Sequence, residues 1–319
     1  MSFGSPPAVE YFEGFSESRP FVPLVDTLAA EINQIPHEEF HRNATHSANS
    51  RKRAQRLFEH DAVVTTLDRT LLCDVLDAAV EWSDDADRFV VESVSGATDL
   101  NAPSDVTAAG RVPVALEVTE RLASTLDDCA VVGGIPGPVA TFNELLGDAK
   151  IDANRGANEL IREVFGDLAR AYGRAGVDAF LVTEFASGAQ SPSAVIEADV
   201  AALEMLGNIA EFFGVPVAFV PEGFDVDVAA EIVEETAVDG VFVDSTDPAS
   251  VADRFPDVRV GGGITPELLA ESTDEIESAI ESRFAGAPTS VFPASGTEIP
   301  AAIHPTKLQA VARAVEATL

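Results

Sequence analysis

The chain has 319 residues, with 20 Lys and Arg against 54 Asp and Glu, a formal net charge of −34. So negative a field repels phosphate backbones and anionic lipid surfaces, which argues against nucleic-acid binding and peripheral membrane binding. Hydrophobic residues still make up 46 %, so the chain is not an acidic disordered tail.

The kind of charge adds to this. Lysine occurs only at Lys52, Lys150 and Lys307, and the other basic residues are arginines. Dense carboxylates with few lysines are expected of a protein from a salt-adapted organism, where salt screens their mutual repulsion; the alternative is an ordinary acidic protein. Cys73 and Cys129 are too few for a disulfide scaffold or a cysteine-based zinc site. No apolar run nears the roughly 20 residues that span a bilayer, and no basic segment followed by an apolar one opens the chain. A cytoplasmic protein is expected.

Residues 1–18 read as a loose arm. From there, short β-branched runs at 21–25, 62–67, 130–133 and 179–183 read as strands, followed by 217–220, 241–243, 258–260 and 290–292. Each is bounded by Gly, Pro or Asp, as in strands buried on both faces. Amphipathic helical patterns fall between them at 50–60, 116–126, 159–172, 193–213, 227–235, 274–284 and 306–318. Ser272-Thr273-Asp274 marks a helix start, and Gly173, Gly176 and Gly214 mark stops. Eight βα steps without a reversal signal predict an α/β fold, a single-domain (β/α)8 TIM barrel over 19–319, with a doubly wound sheet as the alternative. The segment 81–111, rich in Asp, Ser and Gly, reads as an insertion or lid.

In such barrels the working residues follow the strands. Those positions hold Asp26, Asp68, Glu184, Glu222, Asp244 and Ser295. Convergent carboxylates can hold a divalent cation, raise one another's pKa or bind a cationic group; equally, they can cap the helices that follow. Glu184 and Glu222 are the acid/base candidates, because paired carboxylates in a half-dry barrel separate in pKa. His37, His41, His46, His60 and His304 form no metal-binding helical pair and read as surface residues. Gly261-Gly262-Gly263 reads either as a tight turn or as a phosphate cradle, which makes Gly262 and Gly263 substrate-binding candidates.

Several segments together resemble the uroporphyrinogen decarboxylase superfamily, which also contains cobalamin-dependent methyltransferases. They are Arg19-Pro20, Asp61-Ala62-Val63-Val64-Thr65-Thr66-Leu67-Asp68, Gly134-Ile135-Pro136-Gly137-Pro138, Glu184 to Gly188, and Gly262-Gly263-Ile264-Thr265-Pro266-Glu267-Leu268-Leu269. The similarity spans about residues 19–318 and implies a (β/α)8 barrel and a homodimer. For the decarboxylases it implies that Asp68 anchors a tetrapyrrole through its pyrrole N–H groups. Their arginines after the first strand have no match in Val25 to Ala29. Their tyrosine is matched by Phe142, their serine by Phe185 and their histidine by Ser295. For the methyltransferases, the zinc ligands are matched by Val220, Glu222 and Ser295.

Three readings follow. The first is a decarboxylase-related lyase acting on a tetrapyrrole-like or other small organic substrate. Asp68 anchors that substrate, and Asp26, Phe142, Asp244 and Ser295 help bind it. The second is a methyltransferase-related protein with a degenerate metal site and a corrinoid protein as partner. The third is a non-catalytic binding protein. The sequence requires no cofactor, and a divalent metal or a corrinoid remains open.

Overall fold

The computed structural model describes residues 19–319 apart from Val94, Ser95, Asp99, Ser187 and the Ser93 side chain; the expected arm at 1–18 lies outside the described residues. Helices α1 (Thr27–Asn33), α2 (His37–Arg42) and α3 (Ala44–Phe58) lead to strand β1 (Ala62–Val64). A short helix α4 (Leu71–Val75) and an antiparallel hairpin, β2 (Ala79–Ser83) with β3 (Arg88–Ser93), come before α5 (Val112–Ala123). The chain then alternates through β4 (Ala130–Pro136), α6 (Pro138–Leu146), α7 (Arg155–Ala175), β5 (Ala179–Phe185), α8 (Pro192–Phe213) and β6 (Val217–Glu222). It continues with α9 (Val226–Glu234), β7 (Gly240–Phe242), α10 (Pro248–Val251), β8 (Arg259–Gly263), α11 (Pro266–Ala270), α12 (Thr273–Phe284), β9 (Val291–Ala294) and α13 (Pro305–Thr318).

Seven strands pair in parallel in the order β1-β4-β5-β6-β7-β8-β9. The eighth stave is Phe21-Val22. Val22 bridges to Ala294 in parallel and donates its N–H to Pro293 O at 2.9 Å, while Asp61 N–H reaches Phe21 O at 2.9 Å on the other side. The ring is thus closed as a TIM barrel, but the strand expected over 21–25 is only a bridge. Pro20 and Pro23 flank it, and a proline has no N–H to offer a ladder.

Side-chain parity sorts the strands into two layers. Val22, Ala62, Val132, Leu181, Phe242 and Phe292 pack inside the barrel, while Phe180, Val182, Phe219 and Val260 pack outward against the helices. Phe242 and Phe292 meet edge to face at 5.4 Å and fill the interior. Gly261 exists for this contact: a Cβ there would lie 2.7 Å from the Phe292 ring. The helix ends follow their sequence marks, with a Ser272–Glu275 capping box and left-handed glycines Gly176 and Gly214 closing α7 and α8.

The region 81–111 contains most of the hairpin, which the sequence pattern does not reveal as strand. Its exposure alternates without a fully buried run in β2, so no apolar block marks it. Trp82 faces Phe89 across the ladder, and Phe89 is buried.

Candidate active site at the strand C-terminal ends

Asp68 and Arg69, consecutive after β1, take part in separate ion-pair clusters. Asp68 accepts from Thr70 N and Oγ1 on one oxygen, at 2.9 and 2.7 Å. Its other oxygen takes Arg111 Nε and Nη2, at 3.0 and 2.8 Å. Arg111 also binds Asp74 at 3.0 Å and lies over the Phe89 ring, 3.9 Å from its centre. Burial pushes the Asp68 carboxyl up, but Arg111, His41 and Thr70 outweigh it and hold it below the ordinary value. The hairpin covers this unit. Its turn is tied down at His37, whose Nδ1 lies 2.7 Å from Asp87 and whose Nε2 lies 3.0 Å from Glu31.

A second buried pair stands behind the first stave. Arg51 of α3 binds Asp26, donates from Nε to Thr65 O at 3.1 Å and stacks on Phe40 at 4.5 Å. Asp26 also accepts Leu67 N–H at 3.2 Å. Beside it, Glu298 accepts from Thr27 N at 2.9 Å and Oγ1 at 2.5 Å; burial and the neighbouring Asp26 push its carboxyl up to about 7. The first loop carries no arginine, but Arg51 and Arg111 arrive from helical segments. Arg51 has a sequence signal: with Ser47, Ala54 and Phe58 it shares the buried stripe of α3 at helical spacing.

The rim holds the accessible charges. Arg69 Nη2 meets Glu222 Oε2 at 2.7 Å, with the two side chains 34 % and 27 % exposed. The Arg69 guanidinium stacks over Phe185 at 4.4 Å. Asp244 stands exposed on the rim; partial burial, Glu267 and Glu222 push its carboxyl up.

The remaining candidates lie elsewhere. Glu184 is on the outward parity of β5, next to inward Phe185, so it enters the helix layer and caps α6 through Val139 N at 3.0 Å and Ala140 N at 2.5 Å. Phe142 is buried in the helix-layer core. Ser295 is buried and accepts Leu24 N–H at 2.9 Å, which helps close the barrel. Gly262 and Gly263 belong to β8 itself rather than to a loop. A Cβ on Gly262 would meet Pro248 at 2.9 Å, and Gly263 O accepts from Arg283. Close strand–helix packing requires these glycines. Nor are the histidines uniformly on the surface: His37 and His60 are buried, and burial lowers His60 to about 3.

The family model for uroporphyrinogen decarboxylase (URO-D) matches residues 19–318. The chain belongs to the uroporphyrinogen decarboxylase family. No curated protein matches significantly. Among solved structures, a methyltransferase from Methanosarcina mazei superposes with a TM-score of 0.84 at 17 % identity, covering 97 % of each chain. A candidate vitamin-B12-independent methionine synthase from Listeria monocytogenes gives 0.56 at 12 % identity, covering 95 % of this chain and 97 % of that one. At such identities the likeness is one of fold.

Within the uroporphyrinogen decarboxylase family, the zinc positions implied by the methyltransferase branch can be tested on this chain. Val220 packs inside the barrel, Ser295 is committed to Leu24, and Glu222 is committed to Arg69. Among the described residues no three His, Cys, Asp or Glu side chains come together to hold a metal. Cys73 and Cys129 are both buried, and burial pushes both thiols up. These residues do not fit a thiol-activating zinc ion. Among the described residues no helix is long and apolar enough to cross a membrane.

Proposed function

We propose that this family member is a decarboxylase-related lyase acting on a small organic acid at the barrel rim. Arg69 binds an anionic group of the substrate, and Asp244 is the proton donor. The observation that carries the reading is Asp244, an accessible carboxyl whose pKa is pushed up by partial burial, Glu267 and Glu222, at the rim that also holds the partly exposed Arg69–Glu222 pair. Loss of CO2 leaves an electron pair on carbon, and a nearby acid that still holds its proton can quench it. Arg69 offsets the substrate's negative charge, and Glu222 and Phe185 fix the guanidinium in place.

Asp68 anchors substrate in this reading only where an incoming N–H displaces Arg111, because both of its oxygens are already engaged. Arg51 and Arg111 are spent on Asp26, Asp68 and Asp74, which favours a small acid over a tetrapyrrole with many carboxylates. A homodimer in the cytoplasm completes the proposal.

The test is CO2 release from a panel of small carboxylic acids and porphyrinogens, with Asp244→Asn and Arg69→Ala alongside. Loss of a general acid is expected to cost about 10²-fold or more in kcat. Turnover unchanged in Asp244→Asn would sink the assignment, and activity confined to porphyrinogens would restore the tetrapyrrole. A methyltransferase working with a corrinoid partner is the second reading, supported by the full-length likeness in fold to the Methanosarcina mazei methyltransferase. It requires cobalamin or a corrinoid protein to bind, which calorimetry can measure.

A further inference from the structure

The helix layer outside β5 contains two carboxyl groups that the proposed reaction does not use. Glu184 leaves the strand outward and accepts the Val139 and Ala140 amides at the start of α6. Asp199, on α8, is fully buried, and among the described residues neither of its carboxyl oxygens meets an amide, hydroxyl or guanidinium. Its electrostatic partner is the Glu184 carboxyl, and burial together with that neighbour pushes the Asp199 carboxyl well up.

Two ionised carboxylates in contact in a dry interior repel strongly, and each alone resists ionisation there. The charged side chains on the elements packed around the pair point elsewhere. Glu144 of α6 pairs with Arg88, and Glu222 of β6 pairs with Arg69 in the mouth. Arg155 and Arg162 of α7 and Glu197 of α8 line a surface crevice. Among the described residues no cation offsets the pair, so a proton must. A proton held between the two carboxyls satisfies an oxygen of Asp199 that has no other partner and leaves Glu184 able to accept the two amides.

We propose that Glu184 and Asp199 form a proton-sharing carboxyl pair that clamps the start of α6 to the end of β5, with Asp199 as a positioning residue. The clamp reaches the rim through α6. Asn143 of that helix donates to Phe185 O at 3.3 Å and accepts from Gln190 at 3.1 Å, and the Phe185 ring lies beneath Arg69. Only this link to the rim rests on the proposed function; the shared proton does not.

Burial pushes both carboxyls up, Glu184 to about 7 and Asp199 well above the ordinary carboxylate value. The folded protein therefore binds a proton that the unfolded chain has already released above about pH 4. The pair's contribution to stability is full below that pH and is lost as pH rises through about 7.

The experiment compares urea unfolding midpoints at pH 5 and pH 8 for the wild type, Asp199→Asn and Asp199→Leu. Asn keeps a permanent N–H donor, and Leu removes the second carboxyl altogether. The wild-type midpoint is expected to fall between the two pH values more steeply than that of either variant, with Asp199→Asn the more stable protein at pH 8. Identical pH slopes in wild type and variants would overturn the pair. If neither variant folds, the wild type decides: its infrared spectrum should retain a protonated-carboxyl C=O band at pH 7, and complete absence of that band overturns the proposal. Asp244→Asn, measured in parallel, separates the two claims. Retained turnover in Asp244→Asn, with a wild-type pH slope that the Asp199 variants flatten, defeats the proposed reaction and leaves the clamp standing. The converse result defeats the clamp alone.

Discussion

Asp68 and Arg69 are neighbours in sequence, yet they belong to regions of opposite character. Around Asp68 every carboxylate oxygen is used, the arginine is 8 % exposed, and a hairpin seals the top. Around Arg69 the ion pair is about a third exposed, and Asp244 on the same rim has no basic partner among the described residues. A fully matched buried pair is suited to holding parts of a fold together, because exchanging either partner for substrate leaves a charge unpaired. A half-exposed pair with a surplus acid can take a ligand at little cost to the fold.

Breaking each pair in turn tests that contrast. Removing Arg111 strands Asp68 in the interior, so Arg111→Ala is expected to lower the unfolding free energy by about 3–5 kcal/mol, measured by urea denaturation. Removing Arg69 should do the reverse. Arg69→Ala is expected to change stability by less than about 1 kcal/mol, while turnover of an identified acid falls by an order of magnitude or more. If both variants lose stability equally, the contrast is wrong.

The hairpin seal is the next point of attack. His37→Ala removes contacts to Glu31 and Asp87 and should cost about 1 kcal/mol. The single tryptophan, Trp82, sits on the hairpin, so its emission reports the loosening directly. Unchanged emission would mean that Phe89 and the Arg88–Glu144 pair hold the hairpin without His37.

Smaller still is the acid-side effect of Asp68. Its folded value is depressed, so its stabilisation is present above the ordinary carboxylate range, near pH 4, and is lost as pH falls below it. Asp68→Asn should flatten the stability profile on that acid side only. An acid limb as steep in Asp68→Asn as in the wild type would overturn the assignment. The neutral limb, set by Glu298 and Glu184 with carboxyls pushed up to about 7, should stay as it is.

Much of the scaffold was readable in one dimension. The seven ladder strands fall where short apolar runs are bounded by Gly, Pro or Asp, because a strand buried on both faces leaves no room for polar residues. The hairpin escaped, since its half-exposed strands lack that run. At the site, Glu222 and Asp244 reach the rim as strand-end reading predicts. Glu184 does not, because one step along a strand changes the face. Arg51 could have been found from its place on the apolar stripe of α3. Arg111 could not, as nothing near it in sequence marks it as the partner of Asp68.

The sequence by itself determined the charge excess, the alternation of strand and helix that builds the barrel, and membership of the uroporphyrinogen decarboxylase family. Only the tertiary structure decided which acid meets which base. Asp68 finds Arg111 across 43 residues and Arg69 finds Glu222 across 153, while Glu184 finds Asp199 and, among the described residues, no base. Composition counts charges. Their strength and protonation depend on contact distance and on how much water remains, and both are set by the closing of the barrel and the packing of its helices.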